Sequence, residues 1–61
     1  MRQWLIDIRN GQKLTQAAVA EKANISQPAF CDIERGVNDP KPETAMRIAE
    51  VLGFDWTRFY K

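Results

Sequence analysis

Apolar residues recur along this chain at helical intervals, and no useful stretch alternates with the two-residue period of a strand. From about Arg2 to Arg9, Trp4, Leu5 and Ile8 share one stripe by i, i+3, i+4 spacing, and Asn10-Gly11 is expected to end that helix. Thr15 is a good N-cap for a second helix, Gln16 to Ala23, rich in alanine and strong in helix propensity. Its inward face should be Val19, Ala20 and Ala23, small enough to let another helix cross closely. Asn24 stands where a tight turn needs a left-handed residue, a conformation asparagine tolerates. Ile25 should plug the corner, and Ser26 should cap a third helix reaching Arg35 before Gly36 stops it. Pro28 falls in the first turn of that helix, where its missing N–H costs nothing.

The run VNDPKP reads as a loop, and Pro42 suits the first position of a fourth helix reaching Leu52. Ala45, Ile48, Ala49 and Leu52 should face inward, with Gly53 as the stop. The closing FDWTRFYK reads as one or two further helical turns, capped by Asp55. The expectation is an all-α domain, residues 1–61, of five short helices around one core. A chain this short buries only about 60% of the surface its unfolded form exposes, so its stability should be marginal.

Composition acts mainly by exclusion. Nine basic and eight acidic residues leave a net charge of +1, which neither suggests nor excludes nucleic acid, because a local patch matters more than the sum. The chain has no histidine and one cysteine, Cys31, which removes internal disulfides, most metal sites and His-based acid–base chemistry. Cys31 reads as a small surface or half-buried residue. No enzyme activity, cofactor or small-molecule ligand is expected. The N-terminal MRQWLIDIRN lacks the uncharged run of a signal peptide, and nothing approaches membrane-spanning length. A reduced cytoplasmic setting without membrane attachment is the default expectation.

Two helices joined by about three residues, alanines in the first and a polar start to the second, make a helix-turn-helix unit of twenty residues from Gln16 to Arg35. Ala20, Ile25, Phe30 and Ile33 fit the inward positions of such a crossing. The segments IRNGQKLTQAAVAEKANIS, PAFCDIERGVNDP and ETAMRIAEVLGF resemble the Cro/repressor-type helix-turn-helix proteins of phages and bacteria, the XRE family. The most specific elements are Leu14-Thr15-Gln16, the Ile-Glu-Arg-Gly at 33–36 and Asn38-Asp39-Pro40. The resemblance covers essentially the whole chain. It implies a compact five-helix, lambda-repressor-like domain whose helix-turn-helix is formed by helices 2 and 3, with the third helix in the DNA major groove.

The resemblance also implies roles for individual positions. Gln27, Pro28 and Asp32 would face the bases, while Thr15, Gln16, Ser26, Arg35 and Asn38 would touch or position the phosphate backbone. Gln16 would also brace the start of the third helix. Arg9 and Glu34 match a largely internal ion pair between the first and third helices. Chemistry supports part of this, since a Gln amide can pair with both N7 and N6 of adenine. Helix N-termini offer free N–H groups to phosphate oxygens without formal charge, which suits a near-neutral protein. Pro28 can contribute only van der Waals contact, for instance with a thymine methyl, or rigidity at the helix start. Asp32 could accept from cytosine N4, repel non-target DNA, or be a solvated or internally paired acid.

Of the dense tail aromatics, Phe54 and Phe59 should complete the core, while Trp56 and Tyr60 suit either a dimer contact or further core. The function expected is a sequence-specific regulator of transcription, of repressor type, acting as a homodimer at least on a double-stranded DNA operator. The alternative, motivated by Asp32 and the aromatic tail, is a protein-binding modulator such as an antirepressor or antitoxin.

Overall fold

In the computed structural model, which describes Met1–Lys61, the chain folds into four α-helices and one 3₁₀ helix. These are α1 (Gln3–Gly11), α2 (Gln16–Lys22), α3 (Gln27–Arg35), α4 (Pro42–Leu52) and a 3₁₀ helix (Trp56–Tyr60), with no strand. No helix is long and apolar enough to cross a membrane.

Local chemistry sets most of the boundaries. Thr15 Oγ1 accepts from the Ala18 N–H at 3.1 Å, and Ser26 Oγ accepts from the Ala29 N–H at 3.2 Å. Each satisfies one of the amides that a helix start leaves without an intrahelical partner. Pro28 and Pro42 occupy first-turn positions. Between α2 and α3, Asn24 adopts the left-handed conformation at φ 59°, and the Ile25 N–H then donates to the Ala20 carbonyl at 2.9 Å. Gly36 ends α3 in the same left-handed region, at φ 77°. The α2–α3 corner is therefore closed by a specific turn, with Ala20 and Ala23 buried beneath it.

The first helix ends at Gly11, as expected, and the left-handed residue that follows it is Lys13 at φ 57°. The Lys13 N–H donates to the Asn10 carbonyl at 2.9 Å and the Leu14 N–H to that of Arg9 at 3.3 Å, closing the helix end. Gln12 meanwhile donates its side-chain amide to the Leu52 carbonyl at 2.6 Å. That bond across the fold, with Leu14 packed on the core, holds a lysine where glycine would sit more easily.

One expectation needs correcting: the fifth helix is a 3₁₀ turn rather than an α-helix. Its bonds run from Arg58 N–H to the Asp55 carbonyl at 3.0 Å and from Lys61 N–H to the Arg58 carbonyl at 3.4 Å. Trp, Thr, Phe and Tyr are middling helix formers, and short runs favour the tighter i→i+3 pattern. The Asp55 side chain caps this turn through the Thr57 N–H at 2.9 Å and its hydroxyl at 2.8 Å. Those two bonds, the backbone one foremost, hold the Asp55 carboxyl below the usual carboxylate range.

One core joins all five elements. Leu5, Val19, Ala20, Ala23, Phe30, Ile33, Ala45, Ile48, Leu52 and Phe59 form a continuous buried cluster. At one end Trp4, Phe54 and Phe59 meet with ring centroids 5.2–5.5 Å apart. The Arg58 guanidinium lies 4.5 Å from the Trp4 ring centroid, in cation–π range.

Candidate nucleic-acid interface

The burial pattern of α3 divides it into two sides. Phe30, Ile33 and Glu34 are buried, Gln27, Pro28, Ala29 and Arg35 are exposed, and Cys31 and Asp32 are half-buried. The inward side of the helix is thus spent on anchoring, which leaves Gln27, Pro28, Asp32 and Arg35 available to a partner. The exposed side is close to neutral. Asp32 Oδ1 lies 3.7 Å from Arg35 Nη1, so the acid and the one base of this helix face each other across a single turn.

Glu34 is the polar centre of the fold, only 1% exposed. Its carboxylate accepts from Arg9 Nε at 2.6 Å, from Arg9 Nη2 at 3.3 Å and from Gln16 Nε2 at 2.8 Å. Arg9 Nη1 donates in addition to the Leu14 carbonyl at 2.8 Å. The Arg9–Glu34 ion pair therefore ties α1, the α1–α2 loop, α2 and α3 together. No buried side-chain nitrogen or oxygen is left without a hydrogen-bond partner. Gln16 reaches the last turn of α3, at Glu34, and not its start. The reason is geometric: the two helices cross, and the buried carboxylate at the far end is the acceptor within reach of its amide.

The other positions expected to meet a backbone are exposed, apart from half-buried Gln16. Thr15 and Ser26 each use a hydroxyl oxygen as a cap, and their O–H hydrogens remain free to donate. The N–H groups of Gln16 and Ala17 at the start of α2, and of Glu43 and Thr44 at the start of α4, have no acceptor within the chain. At α3 the supply is smaller than expected, because Pro28 has no N–H and Ser26 occupies that of Ala29. Only the Gln27 amide remains free there. Asn38 lies exposed in the loop after α3, its N–H donating to the Asp32 carbonyl at 3.4 Å.

Arg2 was not singled out by sequence reasoning, yet it organises that loop. Its backbone N–H donates to the Glu34 carbonyl at 2.7 Å. Its guanidinium donates to the carbonyls of Ile33 and Asn38 and pairs with the Asp39 carboxylate, 5.3 Å from the Phe59 ring centroid. The partners lie more than thirty residues away, so no local pattern carried the signal. Trp56 is half-buried against the core, while Tyr60 is exposed, with its hydroxyl donating to the Pro40 carbonyl. Their rings meet edge-on with centroids 6.1 Å apart.

A family model described as helix-turn-helix matches residues 5–59, nearly the entire chain. The chain belongs to this helix-turn-helix family. An uncharacterized HTH-type transcriptional regulator of Bacillus subtilis (strain 168), YqaF, is 39% identical over 61 residues, covering 100% of this chain and 80% of that protein. The immunity repressor protein of Bacillus phage phi105 is 46% identical over 46 residues, 75% of this chain but only 32% of the repressor. No solved structure matches the chain. Helix-turn-helix membership, with relatives named as a transcriptional regulator and a repressor, makes this a DNA-binding regulator of the same general kind. The helix that follows the turn of the helix-turn-helix unit is α3.

Proposed function

We propose that the chain, as a single helix-turn-helix domain over residues 1–61, is a sequence-specific double-stranded DNA-binding repressor of phage or mobile-element type. It lays α3 in the major groove. The observation that carries this reading is the division of α3: a fully committed inner side, and an outer side of Gln27, Pro28, Asp32 and Arg35 for which the fold has little use. Gln27, Pro28 and Asp32 face base edges. Thr15, Gln16, Ser26, Arg35 and Asn38 face the phosphates, with the free amides at the starts of α2 and α4 beside them. The protein works in the cytoplasm as a homodimer on its operator, with Trp56 and Tyr60 at the dimer contact. Two-fold half-sites then lie about one helical turn, ~34 Å, apart.

Selection of bound duplexes from a random pool tests this directly, through enrichment of a two-fold site with that spacing. A titration with equal affinity for every duplex would overturn specific recognition. Phe54 and Phe59 pack into the core, which leaves the protein-modulator reading only the Trp56 and Tyr60 that the dimer contact also uses.

Gln27→Ala is expected to cost about 1–3 kcal/mol on the selected operator and to relax preference at one base pair. Equal weakening on every sequence would make Gln27 a positioning residue. The salt dependence should be shallow, because Arg2, Arg9, Arg35 and Arg47 all have carboxylate partners within the chain. A slope of log K against log salt of roughly −3 to −5 is expected, from three to five phosphates neutralised by Lys or Arg. A slope near −10, measured by fluorescence anisotropy across salt concentrations, would contradict this interface.

A further inference from the structure

Asp32 is the residue of α3 whose side chain the fold least explains. Its backbone carbonyl is fully used, accepting from the Val37 N–H at 3.0 Å and the Asn38 N–H at 3.4 Å, but any residue would supply that carbonyl. Its carboxylate sits in the C-terminal half of α3, where the helix dipole disfavours an anion. The pair it makes with Arg35 is long, at 3.7 Å, and open, with side chains 40% and 59% exposed. A pair of that kind adds little to stability. Both groups lie on the side of α3 assigned to DNA, where an uncompensated acid would oppose every phosphate.

Resting on the DNA-binding reading, we propose that Asp32 is a specificity-determining residue that works through Arg35. It occupies the Arg35 guanidinium until a cytosine in the groove takes over as its partner. On a duplex without that cytosine two outcomes are open, and both are unfavourable. If Arg35 stays with Asp32, a phosphate contact is forfeited. If Arg35 moves to a phosphate, a bare carboxylate is left facing the polyanion. Where cytosine is present, its N4 amino group donates to the carboxylate, the base-edge contact an acid makes in the major groove. Arg35 is then released to the backbone, and one base pair controls two contacts. The near-neutral outer side of α3 thereby suppresses non-specific binding, in which sequence-independent phosphate contacts dominate.

The test uses the full chain and four proteins: wild type, Asp32→Ala, Arg35→Ala and the double variant. Each is titrated against the duplex that wild type selects and against a random duplex, over a range of salt. Both side chains are solvent-facing, so all four should melt alike, which a thermal scan checks. Asp32→Ala should bind random duplex about tenfold tighter, with a salt slope steeper by about 0.9, the increment for one added phosphate contact. Its binding to the selected duplex should stay level or weaken, so the specificity ratio falls by tenfold or more. A repeated selection with Asp32→Ala should lose preference at one C·G pair. Adding Arg35→Ala should return the random-duplex affinity and slope to the wild-type values.

Equal tightening of Asp32→Ala on both duplexes would mean that Asp32 is merely a repulsive charge. An Arg35→Ala effect of the same size with and without Asp32 would mean that the two act independently. Either result overturns the inference while leaving DNA binding intact. If wild type selects no duplex, the DNA-binding reading falls and takes this inference with it.

Discussion

Replacing Phe30 with alanine is expected to remove about 3–5 kcal/mol of stability. Phe30 is the largest fully buried side chain of the chain, at 0% exposure, and it is the main anchor of α3 in the core. Deleting its ring forfeits the transfer free energy of the ring and leaves a cavity that four short helices can collapse into only partly. The loss is large against the total. At about 0.05–0.15 kcal/mol per residue, 61 residues give roughly 3–9 kcal/mol of net stability. The variant should therefore keep roughly 6 kcal/mol at most, and none at the low end of that range, seen as an early, broad melt and weakened far-UV circular dichroism. A cooperative melt within about 1 kcal/mol of wild type would mean that α3 is anchored elsewhere. DNA binding should fail in parallel, because the outer side of α3 is displayed only while its inner side is buried.

Glu34→Ala carries the next largest expected effect, a loss of about 3 kcal/mol, equivalent to roughly 12–24 °C in melting temperature for a domain of this size. The mechanism is a set of stranded donors. Arg9, whose side chain is only 13% exposed, would lose both of its bonds to the carboxylate, and Gln16 would lose its acceptor. The pair need not be a large net stabiliser of the fold for its disruption to be costly, since desolvation offsets much of the attraction between buried charges. A double variant, Arg9→Met with Glu34→Leu, separates the two quantities. It should melt above either single variant, because no buried charge is then left alone. Single variants costing under about 1 kcal/mol by chemical denaturation would show that water reaches these groups freely. Arg9 and Gln16 bring α1 and α2 to the last turn of α3, so the same network that stabilises the fold also aims the helix assigned to DNA.

Much of the fold was legible because the signals were local. Thr15 and Ser26 as caps, Asn24 as the left-handed turn residue, and Pro42 and Gly53 as the limits of α4 each act within a few residues of themselves. Two details show the limit of such signals. Gly11 ends α1 as expected, but the left-handed residue is Lys13, where Gln12 bonds to Leu52 and Leu14 packs inward. The last segment had the spacing of a helix but settled as a 3₁₀ turn, where Phe59 stacks on Trp4 and Phe54.

For the candidate site, residue types and resemblance were enough to select Gln16, Gln27, Asp32 and Arg35, but not their partners. Sequence spacing gives no hint that Gln16 reaches Glu34 eighteen residues away, or that Arg2 clasps Asp39. The Asp32–Arg35 pair is an i, i+3 contact on one helix and could have been read from spacing. Internal pairing was one of the readings open for Asp32, and its partner is the residue that this spacing names.

Taken alone, the sequence determined the helix-turn-helix unit, the positions of its caps and turns, and the apolar faces that meet in the core. Those follow from backbone preferences and hydrophobic period, which a chain expresses over three to seven residues. The resemblance implied the Arg9–Glu34 pair, but where the other charges and polar groups go was decided only by the tertiary structure. Glu34 joins Arg9 and Gln16, Arg2 reaches the loop beyond α3, and Asp32 turns outward to Arg35. An ionic or hydrogen-bonded group takes the partner that the packed helices bring within about 3 Å, and that distance exists only once the core has closed.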